Sequence, residues 1–331
     1  MAELNMVEAI NLALREALQE DDSVLVFGED VGVDGGVFRV TDGLIEEFGE
    51  DRVFDTPLAE SLIVGTAVGM AAYGLKPVCE LQFSGFSYEA FHQIESHAAR
   101  LRWRSQGRYP MPLVIRMPYG GGGRALEHHS ESREVYFAHT PGLKTVIPSS
   151  PRSARAMLAG AIRDPDPVIF MEPKRLYRAF REEVPEEPEC IPPGTAAVLR
   201  PGEDATLVSY GAMMQPTLEA AGVLEAECDI HCEVIDLRSL SPLDTDCIAA
   251  SSAKTGHIAI VHEAPKTYGP GAEVVATINE RSFYYLKKPV RRIAGFDVII
   301  PLFAREKAYL PDSERIVHEV LAMLEIEKKE G

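Results

Sequence analysis

The run Val24-Leu25-Val26-Phe27, followed by Gly28-Glu29, sets the pattern of the chain, because a short apolar strand that runs into a glycine turn is typical of a buried parallel sheet. The segment before it, Asn5 to Gln19, carries apolar residues at helical spacing. Short β-branched runs and longer helical patterns alternate in this way along the sequence, as they do in consecutive βαβ units. The sequence therefore predicts the α/β class, with helices wound on both faces of parallel sheets.

The first part of the chain is predicted to form one sheet of six strands. They are expected at Val24 to Phe27, Arg52 to Phe54, Pro77 to Leu81, Leu113 to Arg116, Lys144 to Ile147 and Val168 to Met171. Helices are expected at Asn5 to Gln19, Ser61 to Tyr73, Tyr88 to Arg104 and Pro151 to Ile162. Ser150 is the predicted N-cap of the last helix, whose first position is a proline.

A change of composition after Phe180 marks the predicted boundary between two domains. Residues 181–194 contain four prolines and five glutamates, as expected of an extended linker. Strands then follow at Thr206 to Tyr210, Cys232 to Asp236, Ile258 to Val261 and Val290 to Ile293, and helices at Gln215 to Glu227, Pro270 to Leu286 and Asp312 to Glu327. The prediction is two doubly wound α/β domains, residues 1–180 and 196–331, joined by a linker at 181–195.

Charge and composition exclude several classes of partner. The 331 residues include 33 basic and 51 acidic side chains, a formal net charge of −18, so nucleic-acid binding is not expected. The longest weakly polar run, Ser61 to Leu75, is shorter than the ~20 residues of a membrane span. Five cysteines, an odd number, and an acidic N-terminus favour reduced thiols and a cytoplasmic location without membrane attachment.

Polar and aromatic side chains follow three of the predicted strands at the point where each strand ends. Glu29 follows the first strand, Asp55 to Glu60 the second, and Phe83 to Tyr88 the third. Ligands of open parallel sheets bind at the carboxyl ends of the strands, so these residues are candidates for an active site. Glu60 begins an apolar helix that is expected to be buried; it either complements the helix dipole or holds a proton that it shares with a bound base.

A glycine-rich loop, Tyr119 to Arg124, follows the fourth strand and leads to His128 and His129. A histidine in this setting suits proton transfer or the binding of a small anion, and it equally suits a hydrogen bond that fixes the loop. Residues 120–125 match the pattern G-x-G-x-x-A, so a nicotinamide-dependent dehydrogenase is one alternative. Pro118 breaks the required junction between strand and helix, and no nucleophile elbow of a serine hydrolase is present.

Several segments, taken in order, resemble a single family. They are Gly28-Glu29-Asp30-Val31, Asp55 to Glu60, Phe83 to Tyr88, His129-Ser130-Glu131-Ser132, Pro141 to Lys144, Ala161 to Pro167, Tyr210 to Met213, Asp236-Leu237-Arg238 and Ala276 to Glu280. Together they resemble the beta subunit of the thiamine-diphosphate-dependent 2-oxo acid dehydrogenases, the decarboxylating component of the pyruvate and branched-chain complexes. The resemblance covers essentially the whole chain and implies a pyrimidine-binding domain followed by a transketolase C-terminal-like domain.

The resemblance implies a role for each of four residues. Glu60 matches the family's activating glutamate, which shares its proton with the pyrimidine nitrogen of the cofactor. Phe86 matches the aromatic residue that packs on the pyrimidine, and Glu29 matches a second acidic residue that lines the cofactor site. His129 matches a histidine that binds the substrate carboxylate or protonates the lipoyl sulfur. This chain departs from the family's His-Ser-Gln-Ser pattern at Glu131, which adds a negative charge beside that histidine.

Relatives also bind a monovalent cation, expected to be potassium, through oxygen atoms. The residues that match its ligands are Leu113, Ala161, Ile162, Asp164 and Asp166. Carbonyl and carboxylate oxygens are hard ligands that suit such an ion. The segment from Asp164 to Pro167 is equally well explained as the end of a helix and a proline-rich turn.

The chain lacks the Gly-Asp-Gly motif with which relatives hold magnesium and the diphosphate. The resemblance therefore implies a separate alpha subunit that supplies both contacts, in a heterotetramer of two alpha and two beta chains. The expected reaction is oxidative decarboxylation of pyruvate or a branched-chain 2-oxo acid, with reductive acylation of a lipoylated acyltransferase. An acetoin dehydrogenase beta subunit and a non-catalytic assembly subunit are the alternatives.

Overall fold

The computed structural model describes residues 2–326, which form two compact units. Unit 1 comprises residues 2–119, 136–193 and 240–242, and unit 2 comprises residues 120–135, 194–239 and 243–326. The chain leaves unit 1 at Tyr119 and returns to it at Tyr136, so the glycine-rich loop and both histidines belong to unit 2. The predicted domains, residues 1–180 and 196–331, do not include this passage of residues 120–135 through unit 2, and their boundaries stay a prediction.

Unit 1 is built on a seven-stranded sheet. The strands of this part of the chain are β1 (Ala2–Leu4), β2 (Val24–Gly28), β3 (Val53–Asp55), β4 (Lys76–Glu80), β5 (Val114–Tyr119), β6 (Lys144–Val146), β7 (Val168–Pro173) and β8 (Glu182–Val184). The sheet has the order β12-β6-β7-β5-β4-β2-β3, in which β12 is Ser239–Ser241 and β2 to β7 are parallel. The six strands predicted from their apolar runs are all present.

Seven helices accompany these strands in the chain. They are α1 (Met6–Glu20), α2 (Leu44–Phe48), α3 (Glu60–Tyr73), α4 (Ser87–His92), α5 (Ala99–Arg104), α6 (Glu134–Ala138) and α7 (Pro151–Arg163). The predicted helix at Tyr88 to Arg104 is α4 and α5, joined by a π-helical stretch, Gln93–Ala98. The N-cap prediction at Ser150 is confirmed, because its hydroxyl accepts a hydrogen bond from the Ser153 amide and Pro151 begins α7.

Unit 2 contains a second, five-stranded sheet. Its strands are β9 (Ala197–Arg200), β10 (Ala205–Ser209), β11 (Cys232–Asp236), β13 (Ile258–Pro265) and β14 (Arg291–Gly295), in the order β14-β13-β10-β11-β9. Its helices are α8 (Met214–Cys228), α9 (Thr245–Thr255), α10 (Pro270–Ser282), α11 (Glu306–Tyr309) and α12 (Ser313–Leu324). Only β9 runs antiparallel to its neighbour. The predicted fold class, two doubly wound α/β domains, is confirmed.

Three predictions about local structure need correction. The segment predicted as an extended linker contains β8, which pairs antiparallel with β1. The helix predicted to reach Leu286 ends at Ser282 and gives way to a 3-10 turn. The helix predicted to end at Glu327 stops at Leu324, and residue 327 itself lies outside the described residues.

The helix α3 is less buried than its apolar sequence predicts. Leu62 is 51% exposed and Tyr73 is 88% exposed, and Leu58, just before the helix, is 72% exposed. Its other face, including Ile63 and Val64, lies in the core. The isolated chain therefore leaves an apolar stripe of α3 open to solvent. None of the helices in residues 2–326 has both the length and the apolar character that crossing a bilayer requires.

Candidate active site

The carboxyl ends of three adjacent parallel strands place three of the predicted site residues at one edge of unit 1. Glu29 directly follows β2, Glu60 lies shortly after β3, and Phe86 lies in the 3-10 turn after β4. In the sheet, β2 lies between β3 and β4. The order of the strands thus brings Glu29, Glu60 and Phe86 to a common edge, as a doubly wound sheet does with its ligand-binding residues.

The loop that carries Glu29 is held in place by its neighbours. The Asp55 carboxylate accepts hydrogen bonds from the amides of Gly32, at 2.6 Å, and Val33, at 3.2 Å. The Gln82 side chain donates to the Asp30 carboxylate at 2.9 Å. The residues that follow β3 and β4 therefore hold the loop that follows β2 and carries Glu29.

Glu60 is a buried carboxylate beside a second carboxylate. It is the first residue of α3 and only 8% exposed, and within residues 2–326 its carboxylate has neither a hydrogen-bond nor an ion-pair partner. Burial raises the pKa of Glu29, and the nearby negative charges of Asp30 and Glu60 raise it further. The raised pKa suits Glu29 to holding a proton at the edge of the sheet.

Aromatic rings line the same region of unit 1. The ring of Phe86 meets that of Phe83 edge to face at 5.9 Å, and Phe83 meets Phe38 in the same way at 5.6 Å. Phe38 in turn packs against Tyr177 at 5.0 Å. This cluster provides an apolar surface suited to stacking on a flat ring, at the same edge of the sheet as Glu29 and Glu60.

A buried ionic network below this edge was not found by sequence reasoning. Arg116 on β5 donates to Glu80 on β4 at 2.8 Å and to both carboxylate oxygens of Glu172 on β7, at 2.7 and 3.1 Å. The Tyr177 hydroxyl donates to Glu172 at 2.6 Å. Burial raises the pKa of Glu80, and the charge of Glu172 adds to this, whereas Arg116 opposes it. Charged residues inside apolar strands were the only available signal.

His129 lies in unit 2, in the 3-10 turn Glu127–His129, and therefore not in the unit that holds Glu60. Its neighbour His128 is more exposed and contacts the Glu127 carboxylate at 3.3 Å. The glycine-rich loop before this turn donates its amides to carboxylates of the protein itself, from Gly121 to Glu263 and from Gly122 to Glu306. Amides used in this way are not available to a dinucleotide phosphate, which argues against the nicotinamide alternative.

The residues expected to hold a monovalent cation lie together in unit 1. The Lys144 ammonium contacts both oxygens of Asp164, at 2.7 and 2.8 Å, and lies 3.2 Å from Asp166, which also pairs with Arg102. The Leu113 carbonyl accepts from Val168 and the Ala161 carbonyl from Asp164. The carboxylates are thus already neutralised by side-chain cations, and an ion here would depend on carbonyl oxygens, including that of Ile162.

Comparison with known proteins agrees with this geometry. The family described as "Transketolase, pyrimidine binding domain" matches residues 2–179, and "Transketolase, C-terminal domain" matches residues 194–316. The "Pyruvate dehydrogenase E1 component subunit beta" of Bacillus subtilis (strain 168) is 50% identical over 325 residues, which cover 98% of this chain and 100% of the relative. The subunit of the same description from Acholeplasma laidlawii is 50% identical over 316 residues, 96% of each chain.

A solved structure shows the same architecture. "Split gene transketolase, inactive beta4 tetramer" matches with a TM-score of 0.79 at 25% identity, and the match covers 99% of this chain and 100% of that one. The two transketolase domains in this order, together with 50% identity to these beta subunits over nearly the full length, establish the family of the chain. The chain belongs to the family of beta subunits of 2-oxo acid dehydrogenase E1 components.

Proposed function

We propose that this beta subunit catalyses the thiamine-diphosphate-dependent oxidative decarboxylation of pyruvate and the transfer of the acyl group to a lipoyl domain. It does so with an alpha subunit, in a heterotetramer of two alpha and two beta chains. The observation that carries the proposal is the buried Glu60 carboxylate at the carboxyl edge of the sheet, beside Glu29 and an aromatic wall. The names of the most similar relatives favour pyruvate over a branched-chain 2-oxo acid.

The residues of unit 1 fit the aminopyrimidine half of the cofactor. A carboxyl group shielded from water and free of protein partners within the described residues is ready to hydrogen-bond to a ring nitrogen. The adjoining Phe83 and Phe86 rings offer a flat apolar surface. Thiamine diphosphate, when bound, supplies an acidic thiazolium carbon and an electron sink for decarboxylation.

The protein's own part in the chemistry is to hold and move protons. Glu60 shares a proton with the pyrimidine nitrogen, as its match to the family's activating glutamate implies, and burial raises the pKa of the neighbouring Glu29. His129 binds the substrate carboxylate or protonates the lipoyl sulfur. Magnesium and the diphosphate are held by the alpha subunit, and a potassium ion near Asp164 remains a prediction.

The experiment is exchange of the thiazolium proton in the heterotetramer assembled with its alpha subunit. Glu60→Gln is expected to slow this exchange at least 100-fold, because an amide cannot pass a proton to the ring nitrogen. The matched control is Glu46→Gln, which changes an exposed glutamate in the first turn of α2 and should leave exchange unchanged. Undiminished exchange in Glu60→Gln would refute the assigned role.

The substrate is tested with the same heterotetramer and its lipoylated acyltransferase. Turnover of pyruvate should exceed that of branched-chain 2-oxo acids and acetoin by at least tenfold. A preference for acetoin or a branched-chain acid would replace this part of the proposal. Tight binding of NADH to the chain alone would revive the dehydrogenase alternative.

A further inference from the structure

The four consecutive glycines at residues 120–123 are explained by two buried carboxylates of unit 2. Glu306, at the start of α11, accepts hydrogen bonds from the amides of Gly122 at 2.8 Å and Arg124 at 3.0 Å, one on each oxygen. Glu263 on β13 accepts from the amide of Gly121 at 2.9 Å. Both glutamates are only 3% exposed. Three backbone amides of this loop are therefore tied to side chains far away in the sequence.

Glycine is required here because the backbone must approach these carboxylates closely. A Cβ atom at Gly120, where φ is +84°, would lie 2.4 Å from an oxygen of Glu263. One at Gly121 would lie 2.9 Å from the Ile300 side chain. Gly122 has a φ of +89°, a conformation that residues with side chains rarely adopt. The motif thus serves contact with carboxylates of the protein itself.

Backbone hydrogen bonds connect the four glycines to the segment that carries His128 and His129. The amide of Gly120 donates to the carbonyl of Glu131 at 3.1 Å, which closes residues 120–131 into a loop. Inside the loop, the amide of His129 donates to the Leu126 carbonyl at 3.0 Å. His129 lies five residues beyond Arg124, so fixing the backbone at residues 121–124 restricts where its ring can lie.

We propose that Glu306 and Glu263 are positioning residues that anchor loop 120–131 and thereby set the position of His129. The inference rests on the proposed function of His129, and no contact of either glutamate with a substrate is invoked. Hydrogen bonds from amides to an ionised carboxylate are short and about twice as strong as neutral ones, which suits them to hold a glycine-rich segment. Without them, four glycines in succession would leave the loop with many conformations.

The anchor is tested first by hydrogen–deuterium exchange of the full chain. Glu306→Gln retains the shape of the side chain, but its amide nitrogen would face a second N–H donor, so one of the two hydrogen bonds is lost. Peptides covering residues 120–131 should exchange at least tenfold faster, and peptides from the parallel strands of unit 1 should not change. Glu314→Gln, an exposed glutamate of α12, is the matched control.

The link to His129 is tested by a double-mutant cycle in the assembled heterotetramer. Glu306→Gln should lower turnover at least tenfold, and it should have little further effect in a His129→Ala background, because its influence passes through that ring. Gly122→Ala, which forces a side chain into a positive φ without altering a buried carboxylate, should behave in the same way. Gly49→Ala is the control for Gly122→Ala. It also places a side chain at a positive φ, +80°, but outside the loop, and its added Cβ would have no atom within 4 Å.

Each outcome discriminates between the two proposals. Unchanged exchange of residues 120–131 in both Glu306→Gln and Gly122→Ala would overturn the anchor. Faster exchange with fully additive losses of turnover would overturn its link to His129. If the unmodified heterotetramer turned over no 2-oxo acid, the proposed function would fail, while faster exchange in Glu306→Gln would still support the anchor.

Discussion

Glu134 is a fully buried carboxylate at the end of the loop that carries the histidines. One of its oxygens accepts a hydrogen bond from the Tyr210 hydroxyl at 2.7 Å, and the other has no hydrogen-bond partner among residues 2–326. Burial raises the pKa of Glu134 to about 7; the charge of Glu263 adds to the rise and the Tyr210 hydrogen bond opposes it. The group therefore changes its charge close to neutral pH.

This residue makes the stability of the chain depend on pH. Between about pH 4.5 and pH 7 the folded chain holds a proton that the unfolded chain releases, so the free energy of unfolding falls as pH rises through this window. Glu134→Gln should remove this pH dependence. It should raise the free energy of unfolding by up to about 3 kcal/mol at pH 8 and leave it unchanged at pH 4. Urea denaturation at both pH values measures the difference. Glu314→Gln should leave the pH dependence as it is, and an equal gain at both pH values would contradict the explanation.

Among the strands of unit 1, the Arg116 network joins three neighbours. Arg116 on β5 lies between Glu80 on β4 and Glu172 on β7, and all three side chains are nearly inaccessible to solvent. Burial raises the pKa of Glu80, and the second carboxylate facing the same guanidinium, that of Glu172, raises it further, whereas Arg116 opposes the shift. The network braces the strands whose ends carry the aromatic wall and the glycine loop.

Removing the central cation should be costly. Arg116→Met leaves two buried carboxylates without their partner, and we expect a loss of about 3–5 kcal/mol in the free energy of unfolding, measured by urea denaturation at pH 8. The control is Arg291→Met, which removes a partly exposed ion pair with Glu319 and should cost less than about 1 kcal/mol. Equal losses in the two variants would show that the network contributes no more than a surface pair.

The elements with the clearest hydrophobic pattern were the ones that the sequence predicted. Strands β2, β5 and β7 of unit 1 are buried along their whole length and are mostly apolar, whereas β9 is a half-exposed edge strand and β1 and β8 are only three residues long. The helix α9 was missed because its sequence, Thr245 to Thr255, contains few apolar residues; its start depends on Asp244, which caps the Cys247 amide.

The site residues that could be predicted from the sequence are those that closely follow the end of a strand. Glu29, Glu60 and Phe86 are close in sequence to β2, β3 and β4, and the order of parallel strands brings them together. The acceptors of the glycine-loop amides were not predictable, because Glu263 and Glu306 lie more than 140 residues away along the chain. No local pattern connects a glycine run to such distant carboxylates.

At the scale of the whole molecule, the solvent-facing stripe of α3 needs an explanation. Leu62 and Tyr73, on the helix that Glu60 begins, and Leu58, just before it, are each more than half exposed. Exposed large apolar side chains beside a functional residue are typical of a surface that a partner covers. In the proposed heterotetramer this partner is another subunit.

Charge placed on this stripe should therefore prevent assembly without unfolding the chain. Leu62→Asp is expected to leave the free energy of unfolding of the single chain, measured by urea denaturation, within about 0.5 kcal/mol of the original, as for other exposed positions, and to abolish formation of the heterotetramer in size-exclusion chromatography. Leu62→Ala, which keeps the surface uncharged, should still assemble. Normal assembly of Leu62→Asp would show that the stripe lies outside the subunit interface.

The wide separation between loop 120–131 and the carboxylates that hold it has a consequence for biosynthesis. A ribosome adds about 5–20 residues per second, so roughly 10–40 s pass between synthesis of Gly122 and synthesis of Glu306, 184 residues later. Throughout this interval the nascent polypeptide lacks the Glu306 tether, and until residue 263 is added it lacks the Glu263 tether as well. A prematurely terminated product ending before residue 306 would keep Glu60 and yet never acquire the Glu306 tether, so the subunit matures only when translation is nearly complete.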